Sequence, residues 1–173
     1  VTLAAGMQEL IDGLAQRLPE GAVRLSSPVT DLINNPDGTW RVAIRGNETV
    51  NADALIIAAP AFSAGQLLES IAAGAAAELK NIPYASTATV SLAYRREDFP
   101  NPPDSFGFVV PVIERRKIMA CTFSSLKYRG RAPEGHVLLR AFVGGSLQAK
   151  LFQDDDATME KNVRDELASL LGV

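Results

Sequence analysis

A single imidazole, His136, and a single thiol, Cys121, narrow the chemistry open to this chain of 173 residues. A Ser-His-Asp hydrolase needs a base, and His136 lies between Gly135 and Val137 where a strand begins. No G-x-S-x-G is present, and Gly144-Gly145-Ser146 reads as a glycine-rich turn rather than a nucleophile elbow. The phosphate-cradling G-x-x-x-x-G-K-[ST] and the dinucleotide turn G-x-G-x-x-G are also absent. Cys121, set in an apolar strand, reads as an inert buried thiol, since no neighbour in sequence would stabilise a thiolate. One cysteine cannot form a disulfide within the chain or a cysteine-rich zinc site, and one histidine cannot build a multi-histidine metal centre. Asp154-Asp155-Asp156 reads as the acidic start of a helix. Arg115-Arg116-Lys117 reads as a solvated strand connection, with an anion site as its rival, and Tyr128-Arg129-Gly130-Arg131 carries the same two readings. No catalytic residue and no metal ligand is assigned. Either the chain is a binding module, or a cofactor held largely by other segments carries its chemistry.

The bulk properties agree with a folded piece of protein. The length suits one core better than two, and 47% hydrophobic with 21% charged residues is an ordinary globular balance, which excludes a disordered tail. Seventeen basic against 20 acidic residues give a net charge of -3, so a nucleic-acid partner is not expected. No apolar run approaches the roughly 20 residues of a membrane span, and no signal segment is seen at the start. These counts lead to the expectation of an intracellular, cytoplasmic chain. Its ends suggest an excised fragment, opening on a helix and stopping one residue after Gly172.

The elements that must position any site alternate between helix and strand. Met7, Leu10, Ile11, Leu14 and Leu18 recur at three- and four-residue spacing and predict a helix ended by Pro19-Glu20-Gly21. Val29, Leu32 and Ile33 predict a short strand that runs into the turn Asn34-Asn35-Pro36-Asp37-Gly38. Trp40, Val42 and Ile44 alternate with Arg41, Ala43 and Arg45 as a half-buried strand does; Gly46-Asn47 turns, and Thr49-Val50 begins the return. Ala54-Leu55-Ile56-Ile57-Ala58 is apolar without alternation and predicts a strand covered on both faces. Residues 61 to 80 predict an alanine-rich helix interrupted near Gly74. Ala88 to Tyr94, Phe106 to Val110, Ile118 to Phe123 and Val137 to Phe142 predict four more strands. Met159, Val163, Leu167, Leu170 and Leu171 predict a closing helix that stops at Gly172. The predicted fold class is α+β, with a mixed, mainly antiparallel sheet and packed helices.

Several stretches resemble a known family. Gly6 to Ala15, Ser27-Pro28-Val29-Thr30-Asp31-Leu32, Trp40-Arg41-Val42 and Ala52 to Pro60 resemble the middle of flavin-dependent enzymes of the amine-oxidase type. Tyr84 to Val90, Phe106-Gly107-Phe108-Val109-Val110-Pro111, Ala120 to Ser125 and Arg131 to Gly145 are similar to protoporphyrinogen oxidase and its coproporphyrinogen-oxidising relatives. The likeness covers essentially the whole chain. Its first half is common to the superfamily; its second half is more specific.

The resemblance implies an FAD-dependent oxidation of a porphyrinogen in porphyrin and heme biosynthesis, with molecular oxygen as the electron acceptor. It implies that residues 1–60 are a lead helix and strands of a partial FAD domain, and residues 61–173 the substrate-binding domain. The dinucleotide turn of such enzymes is not in this chain, so the chain alone is expected to hold no FAD and to show no oxidase activity. Val29 matches the position whose backbone groups contact the adenine of FAD; it reads equally as a plain strand residue. Phe106, Gly107 and Val109 match the segment lining the porphyrinogen pocket, and Thr122 and Phe142 align with further positions of its wall. Read without the resemblance, Phe106 and Val109 are core residues. No arginine of this chain inherits the family's substrate-carboxylate role. The expected location is cytoplasmic, with peripheral membrane association of the intact protein left open. Rival readings are a non-enzymatic apolar-ligand or interaction domain and another superfamily member such as a carotenoid desaturase.

Overall fold

The computed structural model describes residues 3–99 and 103–173. They form two compact units, one up to Pro83 and one from Tyr84 onward. The functional division expected from the sequence lies elsewhere, between residues 60 and 61. Helices and antiparallel sheets make up both units, in agreement with the expected α+β class.

In the first unit α1 (Gln8–Ala15) is followed by a meander of β1 (Val29–Asn34), β2 (Trp40–Ile44) and β3 (Glu48–Ala52). All pairings are antiparallel in the order β1-β2-β3, with Leu32 opposite Val42 and Val42 opposite Val50. The first turn forms as its residues require. The Thr39 hydroxyl and amide both donate to the Asp37 carboxylate, and Gly38 takes a left-handed φ of 84°. After β3 the helices α2 (Ala61–Leu68) and α3 (Ala73–Lys80) pack as a hairpin. Gly65 allows their contact: a Cβ there would lie 3.0 Å from the Ala76 carbonyl oxygen. The helix break falls at residues 69–72, just before Gly74 rather than at it.

The apolar stripe of α1 forms as predicted and is exposed, Leu10 at 45% and Ile11 at 56%. One expectation fails: the run 54–58 is not a strand, and Ile56 is 96% exposed. An apolar run becomes a strand only where a neighbour offers its backbone a hydrogen-bonded ladder. No described strand of this unit pairs with residues 54–58.

The second unit is a four-stranded antiparallel sheet of β4 (Thr87–Arg95), β5 (Gly107–Val109), β6 (Ala120–Phe123) and β7 (His136–Gly144), in the order β4-β7-β6-β5. A short helix, α4 (Ser124–Lys127), which periodicity could not reveal, follows β6 directly. The closing helix α5 runs Asp156–Leu171. As its acidic start predicts, Asp155 caps it by accepting from the Thr158 amide at 2.8 Å; that bond and one from the Thr158 hydroxyl hold the carboxyl below its ordinary range. Gly172 ends the helix with φ 72°.

Strand alternation sorts the sheet into two faces. Cys121, Phe123, Val137, Leu139, Ala141 and Val143 are buried, and α5 adds Met159, Val163 and Leu167 to the same core. Phe123 meets Phe99 and Phe108 edge to face, with ring centres 6.3 and 6.0 Å away. The Arg115-Arg116-Lys117 connection is fastened to α5 rather than simply solvated. Arg116 pairs with Glu166 at 2.9 Å, and the Lys117 amide donates to the same carboxylate at 2.8 Å. A left-handed Arg115, φ 52°, turns the chain into this contact.

Candidate functional site

The intervening residues, Thr122, Leu138, Arg140 and Phe142, turn to the opposite face of the four-stranded sheet, away from the core cluster that includes α5. Register places them in rows. Gly107 lies opposite Thr122, Thr122 opposite Arg140 and Arg140 opposite Ser91. In the next row Val109 faces Ala120, Ala120 faces Phe142 and Phe142 faces Thr89. Four of the residues singled out from the sequence (Gly107, Val109, Thr122 and Phe142) therefore share one face. Val109 is 79% exposed, while Thr122 and Phe142 are half-buried.

Gly107 owes its type to the backbone. Its φ is 147°, and a Cβ would stand 2.2 Å from the carbonyl oxygen of Cys121 on the neighbouring strand. Phe106 precedes this ladder. Its carbonyl accepts from the Phe123 amide at 2.9 Å, and the residue lines an open cavity of about 740 Å³ with Arg96, Pro103, Asp104, Ser105 and Leu126. At 65% exposure its ring is not part of the core. The structure thus gathers four of the five wall candidates and sets Phe106 at the margin.

Val29 opens β1, which among the described residues is an edge strand paired with β2 alone, and a bulge between Val29 and Asp31 interrupts the register there. A sheet edge leaves backbone donors and acceptors facing outward, the groups a flat heterocycle can pair with irrespective of side chain.

The remaining reactive groups have structural explanations. Burial pushes the Cys121 thiol up from 9.0 to about 11, the backbone at Arg140 opposing only in part. Cys121 should accordingly resist iodoacetamide at pH 8 in the native state and react freely once unfolded, because the thiolate fraction falls roughly a hundredfold for two units of pKa. A native-state alkylation rate equal to that of the denatured chain, followed by mass spectrometry, overturns this. The folded pKa is the higher one, so this contribution to stability is complete below pH 9.0 and fades as pH rises through about 11. Gly144 and Gly145, with φ of 96° and 81°, seat the end of β7 against Ser86, whose carbonyl accepts from the Gly145 amide at 2.8 Å. His136 is exposed and its Nδ1 lies 3.0 Å from the Glu134 carbonyl oxygen. Among the described residues, no three of His, Cys, Asp or Glu group together as a metal site. No described helix is long and apolar enough to cross a membrane.

Sequence reading from single motifs misses Arg140, Ser91 and Thr89 on the exposed face. The signal was present in the alternation of β4 and β7 but needed the register to join the strands.

Comparison with known proteins finds similarity along the whole chain. The chain is 35% identical over 172 residues to coproporphyrinogen III oxidase of Propionibacterium freudenreichii subsp. freudenreichii, covering 99% of this chain and 32% of that protein. It is 29% identical over 183 residues to the mitochondrial protoporphyrinogen oxidase of Nicotiana tabacum, covering 96% and 36% respectively. A crystal structure from Exiguobacterium sp. 255-15, provisionally described as a protoporphyrinogen oxidase, superposes with a TM-score of 0.82 at 28% identity, over 99% of this chain and 36% of that one. A putrescine oxidase variant shares the fold at TM-score 0.76 and 18% identity, over 98% of this chain and 36% of that one. The chain thus spans about a third of the length of the curated relatives it matches. A family model described as flavin containing amine oxidoreductase matches residues 1–173. With the match running from end to end, the chain belongs to the flavin containing amine oxidoreductase family.

Proposed function

We propose that this chain is the substrate-binding portion, with part of the FAD domain, of a cytoplasmic oxidase that converts a porphyrinogen, coproporphyrinogen III or protoporphyrinogen IX, to the porphyrin. Molecular oxygen takes the electrons. The observation that carries the reading is the exposed sheet face, where Val109 and Phe142 flank Ala120 in one row and Gly107 and Thr122 lie side by side in the next. A broad, flat macrocycle needs such a surface, shallow and with small residues beside its apolar side chains. The whole-chain family match and the relatives named for these substrates support the same reading.

FAD, when bound, accepts hydride equivalents from the reduced macrocycle. The edge of β1 fits a backbone contact to the flavin nucleotide at Val29, since its outer groups are not engaged by β2. This chain's residues then bind and orient the macrocycle; no acid–base pair on the sheet face is required of them. Residues 1–60 are assigned to the FAD side and 61–173 to the substrate side.

The test is kinetic and is made in the intact flavoprotein. Phe142→Ala should lower kcat/KM for the porphyrinogen roughly 5- to 150-fold, the loss of about 1–3 kcal/mol of apolar contact, with flavin content preserved. Phe106→Ala separates wall from margin. Its exposure forecasts a stability change within about 0.5 kcal/mol, so a fall in kcat/KM without a fall in melting temperature places Phe106 in the pocket. An intact protein that oxidises neither porphyrinogen refutes the function, and unchanged kinetics in Phe142→Ala refute the wall.

A further inference from the structure

We propose that Arg140 is a substrate-binding residue that pairs with a carboxylate at the rim of the macrocycle. The inference rests on the porphyrinogen reading above and deepens it, since porphyrinogens carry propionate side chains around an apolar ring. Arg140 stands on the exposed face between Thr122 and Ser91, directly opposite each across the ladder. It is two residues from Phe142 on the same strand, hence on the same face and about 7 Å along it. An apolar ring resting between Phe142 and Val109 therefore has this guanidinium beside its edge.

The arginine is not committed elsewhere. Its Nε makes a long contact of 3.4 Å with the Ser91 hydroxyl, and among the described residues no carboxylate lies within ion-pair distance of it. In the same unit Arg95, Arg116 and Arg164 are each paired, with Glu97, Glu166 and Glu160. None of the four strands contains an acidic residue, so the face offers Arg140 hydroxyl neighbours and no internal counter-ion. A guanidinium fork matches a carboxylate in two parallel hydrogen bonds, which fixes orientation as well as affinity. A carboxylated macrocycle supplies the missing partner and is held in one rotation over the apolar row.

The experiment uses the intact flavoprotein with Arg140→Met, which keeps the aliphatic stem and removes the charge, and Arg140→Lys, which keeps the charge without the fork. Coproporphyrin III and its tetramethyl ester serve as stable probes, with binding read by fluorescence and flavin content and melting temperature measured in parallel. Arg140→Met should bind coproporphyrin III about 10- to 100-fold more weakly. Arg140→Lys should recover part of the loss, and wild type and Arg140→Met should bind the tetramethyl ester alike. Equal binding of coproporphyrin III by wild type and Arg140→Met overturns the inference, as does an equal loss for the ester. A wild-type protein that binds neither probe overturns the porphyrinogen reading together with it, whereas failure at Arg140 alone leaves that reading standing.

Discussion

Gly107→Val should unfold the β5–β6 edge rather than simply narrow a pocket. A Cβ at this position would lie 2.2 Å from the Cys121 carbonyl oxygen and 2.9 Å from the Thr122 Cα, both backbone atoms that cannot rotate away. The φ of 147° adds strain that a β-branched side chain tolerates worst. Strain of this kind costs about 1–3 kcal/mol, and overpacking adds a similar amount or more. In the intact protein the loss should appear as a lower denaturation midpoint and as weaker amide-exchange protection along β5 and β6. Gly107→Ala should show most of the effect, since the first carbon already collides. A Gly107→Val variant with wild-type stability would falsify the backbone account. Activity lost in this variant is therefore no measure of pocket shape, and Phe142→Ala is the cleaner probe of the wall.

Phe123→Ala is expected to be the most damaging truncation in the second unit, at about 3–5 kcal/mol. Phe123 is fully buried, and its ring is the one that joins Phe99 to Phe108. Its removal leaves a cavity under the face that carries Thr122, and the surrounding strands can collapse only in part. Phe123→Leu should restore much of the loss because the site then stays filled. Urea unfolding of the three proteins reads the result directly. A Phe123→Ala loss below about 1 kcal/mol, the ordinary mutational mean, contradicts the core described for this sheet.

How much of this was legible beforehand differs by element. The hairpin turn at Asn34 to Gly38, the strand from Trp40, the cap at Asp155 and the stop at Gly172 are local events. Their hydrogen bonds and dihedral angles involve residues a few positions apart, so residue types were enough. Gly107 shows the limit. Its presence in a strand was visible, but the reason, a carbonyl on the adjacent strand, is fourteen positions away by sequence. Arg116 shows the same limit, because its partner Glu166 is on a helix whose position no local pattern states.

Apolar pattern also proved an unequal guide. Met159, Val163 and Leu167 form an apolar stripe that is buried, whereas Met7, Leu10 and Ile11 form one that is exposed. Periodicity states which residues share a face of a helix, and it is silent about what covers that face. Residues 54–58 are the strand version of this: their composition favours a covered strand, but a ladder needs a second backbone.

By itself the sequence determined most of the element types, many local caps and turns, and the family to which the chain belongs. These depend on short-range sterics, on hydrogen bonds between near neighbours and on residue identities in order. Only the tertiary structure decided that Gly107, Val109, Thr122 and Phe142 share one face with Arg140, and that Phe106 stands at its margin. A strand's two faces are known from its period of two, but which faces of which strands join depends on register, and register is set by the whole packed core.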